Sequence, residues 1–491
     1  MKTLLRLFAL LLLPWVAGAA PKPLWLACGP EGLLKALEPL AELRRAQGME
    51  AVLSALPPRA ALNAVARQPD FFLIVGDDDP QAQAWSDWEV PSARVPFHRW
   101  NEKQRQDFAS DFAIPGLDRL GVPLVAVGRL PVRTFAEATL VVGKILAWEK
   151  QPVTRACLGL PMWAGDPVYD PKFTEMFMGF FFAQIGKNSP PWLEPWILSG
   201  DQTHPLCGWP ATQARAFDER TAQGGLFIGM MGHGGRGLFC SVPKFGGWNG
   251  YFNTDARALT QGPVRPPQII FACQCGEFDA HAGRCLAEEL LLAPAGPVLT
   301  VAATIESHPL TNFYSATNLL RLLRNVDGAV PFGTLWLQTQ HAMRKRTDLL
   351  MESLLKGVEG SYSAPTDPKE LKTDQATMYA ILGDPATRLH APRKLEVAME
   401  KTARGWAWTV TPPAGATRLA VEYRNPEPPF APRPAGVDEK TSGELLAQAN
   451  AALAFRPLPA EGWHGETEQR GLLRFITETP DGIWVAGAEL K

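Results

Sequence analysis

Short, fully apolar runs alternate with stretches of helical periodicity over the first third of the chain. Three such runs are predicted as buried strands: 24–27, 71–75 and 124–127. Two helices are also predicted, one over 33–45 and one that begins at the capping pair Thr134 and Glu137 and reaches about Trp148. Strands that feed crossover helices are typical of a parallel α/β sheet.

The same alternation resumes between about residues 156 and 389. Its predicted strands are 226–231, 269–272 and 298–303, and its predicted helices are 285–292 and 312–324. His233 and Cys273 follow the first two of these strands. Because ligands bind beyond the carboxyl ends of strands in open parallel sheets, we expect the two side chains to meet in one crevice.

The pattern changes after about residue 392. Alternating apolar and polar runs, such as 406–410 and 418–422, are separated by Pro- and Gly-rich turns, with one helical insert near 443–453. This pattern predicts a small antiparallel β domain. The predicted organisation is therefore an α/β unit of two parallel-sheet subdomains, 20–155 and 156–392, followed by a β domain over 393–491.

The first 19 residues have the pattern of a signal peptide. Lys2 and Arg6 accompany an apolar run at 4–16, and Ala17-Gly18-Ala19 supplies the small residues that a signal peptidase requires, so cleavage is predicted after Ala19. No later apolar run is long enough to cross a bilayer. We therefore expect an exported protein that is periplasmic, on the cell surface or extracellular.

Charge and cysteine content narrow the function classes. The 491 residues carry 48 Lys and Arg against 50 Asp and Glu, a net charge of −2, so no basic surplus is available for a nucleic-acid backbone. No basic patch stands out either, and a nucleic-acid partner is not expected. Of the seven cysteines, at least one must stay outside intrachain disulfides because the number is odd.

The residues at the two strand ends suit nucleophilic catalysis by a thiol. Such chemistry needs a thiolate, an imidazole that manages its proton, and backbone donors where an oxyanion forms. Cys273 follows a buried strand, and His233 lies in a Gly-rich loop that allows close approach of a substrate. Local geometry suggests that the amides of Gly234 and Cys273 form the oxyanion hole. The chemistry requires no cofactor, and its partner would be a polypeptide substrate.

The order and spacing of several short motifs resemble the gingipain family of cysteine peptidases. They are Gly76-Asp77, Gly128-Arg129-Leu130-Pro131, Gly232-His233-Gly234, Cys273 with Gly276 and Phe278, Ala287-Glu288, Ala303-Thr304 and Leu382-Gly383-Asp384-Pro385. The resemblance covers about residues 24–390. It implies an endopeptidase of caspase-like fold with an immunoglobulin-like domain behind it, in which Cys273 is the nucleophile and His233 the catalytic histidine.

The sequence also departs from the gingipain pattern. Gingipains carry a long pro-segment, whereas here the first strand is predicted a few residues after position 20, so latency by a propeptide is not expected. Met162 matches the glutamate that supports the family's histidine, and Asp166 is the nearest substitute. Asp170 is the closest match to the acid that selects Arg or Lys, so cleavage after basic residues is the expectation. The pocket-wall tryptophan of the arginine-specific members is replaced by Pro309 here, which argues against a strong basic preference.

Several other interpretations stay open at this point. Cys275 is an alternative nucleophile, or the partner of Cys285 in a disulfide, and the two could join Cys273 and His281 in a zinc site. A solvated turn is expected at 77–79, with calcium as an alternative structural ion. A solvated helix face is expected for Glu288 and Glu289. The competing function is a catalytically silent caspase-like module that binds or assembles partners at the cell surface.

Overall fold

A single ten-stranded sheet runs through the α/β unit. The computed structural model describes residues 21–79, 85–99, 107–165, 171–242, 249–280, 283–353 and 367–491. In the first part of the chain the described residues include the strands β1 (Leu24–Cys28), β2 (Glu50–Ser54), β3 (Phe71–Val75), β4 (Arg94–Pro96), β5 (Asp107–Ala109) and β6 (Ala126–Leu130). Its helices are α1 (Glu31–Leu34), α2 (Glu38–Ala46), α3 (Pro58–Ala64) and α4 (Phe135–Lys150).

The second part supplies the rest of this sheet and several short strands. Its strands are β7 (Gly159–Ala164), β8 (Glu194–Ser199), β9 (Ile228–Met231), β10 (His233–Gly235), β11 (Leu238–Val242), β12 (Asn249–Phe252), β13 (Gln268–Phe271), β14 (Thr300–Ala303), β15 (Val330–Pro331), β16 (Tyr379–Leu382) and β17 (Arg388–Leu389). Its helices are α5 (Pro171–Asn188), α6 (Gln213–Thr221), α7 (Asn253–Arg257), α8 (Leu286–Leu292), α9 (Pro309–Leu323), α10 (Phe332–Lys345) and α11 (Pro368–Met378).

The strand order of the large sheet is β2-β1-β3-β6-β16-β14-β13-β9-β7-β8. Neighbours are parallel except β14 and β16, which pair antiparallel in the middle. The sheet therefore consists of two groups of strands. The strands within each group are parallel, the two groups run in opposite directions, and hydrogen bonds between β14 and β16 join them into one sheet. This arrangement confirms the α/β class with two parallel-sheet parts.

Predicted strand bounds differ most at β6. The run 124–127 predicts a strand that ends before Gly128-Arg129, but the strand is Ala126–Leu130 and includes Arg129. Leu124 is instead largely exposed. A buried arginine continues the strand because Asp111 accepts two hydrogen bonds of 2.7 Å from its guanidinium group. The strand pattern alone carries no sign of that distant partner.

Charged residues expected in solvated positions are buried. Asp77 and Asp78 lie inside the protein, where Asp77 accepts a 2.6 Å hydrogen bond from Arg133. Glu288 is also fully buried, 3.3 Å from Arg284, and burial raises its pKa to about 8. The expected solvated turn at 77–78 and solvated face at Glu288 are therefore wrong, because arginines pair with Asp77 and Glu288 inside the protein. Arg133 lies 56 residues after Asp77, and Arg284 lies four residues before Glu288.

The C-terminal residues form two antiparallel-dominated sheets and one helix, which confirms the predicted β domain. The five-stranded sheet has the order β18-β25-β24-β21-β22 and the three-stranded sheet β19-β20-β23. These strands are β18 (Arg393–Lys394), β19 (Glu396–Lys401), β20 (Trp406–Thr411), β21 (Leu419–Arg424), β22 (Arg456–Leu458), β23 (His464–Thr467), β24 (Gly471–Thr479) and β25 (Gly482–Leu490), and the inserted helix is α12 (Glu439–Leu453).

The inserted helix docks the β domain on the edge of the large sheet. Asn450 of α12 accepts from the Ile197 amide at 2.7 Å and donates to the Ile197 carbonyl at 3.0 Å. These bonds satisfy backbone groups of edge strand β8 that would otherwise offer pairing to another chain. None of the helices in the described ranges combines the length and the apolar composition that a membrane span requires.

Candidate active site

His233 and Cys273 follow neighbouring parallel strands at matching positions. Strand β9 pairs with β13 so that Met231 lies opposite Phe271. His233 and Cys273 each come two residues after that pair. Neighbouring strands are about 4.8 Å apart, so the topology places the two residues side by side at the carboxyl edge of the sheet.

Gly234 lies directly against the cysteine loop. A Cβ atom at this position would be 2.8 Å from the carbonyl oxygen of Cys273 and 2.7 Å from both the Ala272 Cβ and the Cys275 Sγ. Only glycine permits this approach. The absence of a side chain therefore brings the hairpin of β10 and β11, which begins at His233, onto the backbone of Cys273.

The cysteine loop is a tight turn held on the end of the next strand. Gln274 has a φ of 55°, and non-glycine residues with positive φ are uncommon outside turns and functional sites. The Gln274 amide donates to the Ile305 carbonyl at 3.1 Å, and the Gly276 amide donates to the Ala303 carbonyl at 2.9 Å. These bonds fix the backbone on both sides of Cys275 and orient Cys273 at the start of the turn.

Cys273 is a partly exposed residue, and its thiol donates to the Ser307 carbonyl oxygen at 3.5 Å. Burial of the sulfur raises the pKa of Cys273 above its ordinary value, whereas the charge of Arg99 acts in the opposite direction. Ser307 is itself held, because its Oγ accepts from Asn312 at 2.9 Å. Asn312 in turn accepts from the Tyr379 hydroxyl at 2.6 Å.

The neighbouring thiol of Cys275 points into the protein. It is fully buried, and its Sγ lies 3.6 Å from the Gly235 carbonyl oxygen and 3.5 Å from that of Leu238. Burial raises the pKa of Cys275 far above its ordinary value. A buried thiol bonded to two carbonyls supports the histidine hairpin, so the geometry favours Cys273 as the nucleophile.

The cysteine alternatives find no support in the described residues. Cys275 and Cys285 are both free thiols, so the disulfide between them is not formed. Within the described ranges, no group of three or more His, Cys, Asp or Glu side chains could hold a metal ion. His281, the remaining member of the suggested zinc set, lies outside those ranges.

Both acidic candidates, Asp166 and Asp170, also lie outside the described residues. Met162 is buried on β7, which pairs directly with β9, the strand before His233. Sequence reasoning missed Ser307, whose carbonyl oxygen accepts from the Cys273 thiol, and Arg99, whose charge lowers the pKa of that thiol. It also missed Asp374, which accepts a hydrogen bond from the backbone amide of the residue before Arg99. Only the position of Ser307, four residues past the end of β14, carried a local signal.

With the thiol chemistry that the sequence predicts, Gly234→Ala is expected to reduce the rate of peptide cleavage about 100-fold. The new Cβ must displace either the Cys273 carbonyl or the His233 hairpin, and a shift of about 1 Å at reacting groups can cost that much. Gly179→Ala is a matched control, because nothing lies within 4 Å of its added Cβ. Equal rates in the two variants, measured on one peptide substrate, would contradict the packing described here.

Comparison with known proteins places the chain in a family. The model for peptidase family C25 matches residues 59–390, more than half of the sequence. The chain belongs to peptidase family C25. A comparison with curated proteins finds no match.

Solved structures of gingipain R share the fold. The Arg-specific cysteine proteinase gingipain R (RgpB) has a TM-score of 0.53 at 12% identity, covering 96% of this chain and 98% of that one. The complex of the RgpB pro- and mature domains from Porphyromonas gingivalis has a TM-score of 0.53 at 13% identity, covering 95% and 100%. At these identities the structural likeness establishes the fold alone. The family match assigns the chain to a class of cysteine peptidases, whose substrates are polypeptides.

Proposed function

We propose that this C25 member is an exported cysteine endopeptidase that hydrolyses peptide bonds with Cys273 and His233. The observation that carries the proposal is their matched placement two residues beyond the paired residues of β9 and β13. The close packing of Gly234 on the Cys273 carbonyl supports it. A thiol and an imidazole at one strand edge form the arrangement that nucleophilic acyl transfer needs.

In this mechanism the Cys273 thiol passes its proton to His233, and the thiolate attacks the scissile carbonyl carbon. The amides of Gly234 and Cys273 donate to the resulting oxyanion. His233 then hands its proton to the leaving amine as the C–N bond breaks, which leaves a thioester on Cys273. Water, deprotonated by His233, hydrolyses the thioester and restores the thiol.

We propose that the segment between β7 and α5 carries two acidic residues with separate roles, one toward the His233 imidazole and one toward the substrate. We place Asp166 as the acid that orients His233 and Asp170 as the acid that selects a basic side chain before the scissile bond. Both assignments rest on the sequence resemblance to the gingipains. Asp170→Ala would then lower the rate of cleavage after Arg or Lys more than the rate after uncharged residues.

Export is proposed because residues 1–19 have the pattern of a signal peptide.

The chemistry needs no cofactor. A structural calcium ion is proposed only at the turn of residues 77–79. There the described contacts limit it, because Asp77 accepts from Arg133 and Asp78 accepts from the Ser92 amide. A calcium ion would have to replace these donors as the partner of both carboxylates.

The His233→Ala variant is expected to alkylate at Cys273 with iodoacetamide at least about 10-fold more slowly than the wild type near neutral pH. Burial raises the pKa of Cys273, so an imidazole that accepts its proton is needed to keep a thiolate available. The measurement is the rate of modification of the Cys273 peptide by mass spectrometry.

His464→Ala is the matched control, because His464 lies exposed on β23 of the β domain. An unchanged rate in His233→Ala, together with a wild-type rate no faster than that of a free model thiol, would contradict the proposal. That result would favour the catalytically silent binding module. The sequence argument for that alternative is Met162, which stands where the gingipain pattern has the glutamate that supports the histidine.

A further inference from the structure

A segment of the first half of the chain reaches the thiol of the second half. Arg99, three residues beyond strand β4, donates a hydrogen bond from its guanidinium group to the Ser307 carbonyl oxygen. The same oxygen accepts from the Cys273 thiol at 3.5 Å. Because they share this acceptor, the guanidinium group of Arg99 and the thiol of Cys273 lie close together. A charge changes the ionisation of a neighbouring group over a separation of about 4–6 Å.

A buried carboxylate fixes the residue before Arg99. Asp374 of α11 accepts from the His98 amide at 3.0 Å, and its second oxygen is 2.5 Å from the His98 Nδ1. Only 1% of the Asp374 side chain is exposed. The carboxylate therefore sets the direction in which the chain enters Arg99.

A second ion pair fixes the strand that leads to this segment. Arg94 of β4 donates at 2.5 Å to Asp279, a fully buried residue of the loop that follows Cys273. The strand is thus tied to the nucleophile's own loop, and the next residues along it are tied to α11. Arg99 follows both attachments in the chain, so the backbone that presents its guanidinium group to Ser307 is anchored at Arg94 and at His98.

We propose that Arg99 is a positioning residue that stabilises the thiolate of Cys273 by its charge, and that Asp374 holds it in place through His98. The proposal rests on Cys273 being the nucleophile. Arginine suits this role because its guanidinium group stays charged at every pH at which proteins are folded. His233 supplies a positive charge only while its imidazole is protonated, so Arg99 sustains the thiolate at higher pH.

The other ionisable groups around the thiol do not replace this charge. Glu306 opposes it, since its carboxylate raises the pKa of Cys273. Tyr379 and Cys275 are neutral near pH 7, because burial raises the pKa of each well above its ordinary value. His98 is paired with Asp374, and His233 lies at the neighbouring strand end. Arg99 is therefore the permanent cation of this described set.

The test is the pH profile of iodoacetamide alkylation at Cys273 in the full-length mature chain, followed by mass spectrometry between pH 5 and pH 10. Arg99→Gln keeps a hydrogen-bond donor for Ser307 and removes the charge, whereas Arg99→Lys keeps the charge. We expect Arg99→Gln to slow alkylation about 10-fold at pH 7 and to move the midpoint of the profile to higher pH. Arg99→Lys should stay within about 3-fold of the wild type.

Two further variants sharpen the interpretation. Asp374→Asn weakens the attachment of His98 and should shift the profile in the same direction as Arg99→Gln, by a smaller amount. Arg215→Gln, at an exposed arginine on α6, should leave the profile unchanged. Equal effects of Arg99→Gln and Arg99→Lys would overturn the proposal in favour of a purely structural contact. Faster alkylation in Arg99→Gln would overturn it in favour of a side chain that covers the thiol.

Alkylation reports the ionisation of Cys273 whether or not the chain cleaves peptides. A profile that depends on the Arg99 charge but not on His233 would support the positioning role and contradict the Cys-His peptidase. A profile that depends on His233 alone would do the reverse.

Discussion

Cys273→Ala is expected to abolish cleavage of a peptide library by the mature protein, with a residual rate below about one part in 10⁴ of the wild type. Removal of a catalytic nucleophile ends the covalent route, because neither the oxyanion donors nor the imidazole can form the thioester without it. The measurement is product release under mild reduction, with and without calcium, by mass spectrometry. The residues recovered before the cleaved bonds also report whether a basic side chain is preferred.

The matched control is Cys275→Ala, the same substitution two residues further along the turn. The Cys275 thiol is buried against the carbonyls of Gly235 and Leu238, so its loss leaves a small cavity and removes two weak hydrogen bonds. At least about a tenth of the wild-type rate should remain. Cleavage that persists in Cys273→Ala and disappears in Cys275→Ala would reassign the nucleophile.

Arg129→Met is expected to lower the free energy of unfolding by about 3–5 kcal/mol, because it leaves the buried Asp111 carboxylate without its counter-charge. Arg129 is fully buried and donates to both Asp111 oxygens at 2.7 Å and to the Gly76 and Val90 carbonyls at 2.8 Å. Its guanidinium group also lies 4.9 Å from the centre of the Phe278 ring in the cysteine loop.

Urea denaturation followed by tryptophan fluorescence measures this loss. Arg67→Met is the control, since its surface ion pairs with Glu50 and Asp70 should contribute less than about 1 kcal/mol. The double variant Arg129→Met with Asp111→Leu should regain part of the loss, because it removes both buried charges together. Midpoints that do not differ between Arg129→Met and Arg67→Met would show that the buried pair contributes little to stability.

The position of the candidate site could be predicted from the sequence because it depends on local patterns. Apolar runs mark the strands, and the rule for parallel sheets then places whatever follows them at one edge. The strand bounds shifted by up to two residues at β9, β13 and β14, yet His233 and Cys273 still follow their strands. Several of the family motifs, including Gly232-His233-Gly234, Cys273 and Ala303-Thr304, lie at these strand ends, so their order and spacing follow the order of the strands.

Contacts between distant segments could not be predicted in the same way. Arg99 and Ser307 are 208 residues apart, and neither lies in a run whose periodicity marks a buried partner. Asp77 looked like a solvated carboxylate because its partner, Arg133, lies 56 residues further along the chain. Burial of a charge depends on where its counter-charge folds, and a single sequence contains no local record of that pairing.

The antiparallel joint in the middle of the large sheet has a consequence for the order of folding. Strand β16 lies between β6 and β14, so the first parallel group is incomplete until residues 379–382 are available. Asp384 then accepts hydrogen bonds from Trp25 and Arg44, which are more than 300 residues earlier in the chain. Contacts of such separation form slowly, because the intervening chain must be ordered first. During synthesis, the N-terminal group of strands would therefore wait for β16, the last strand of the large sheet in chain order.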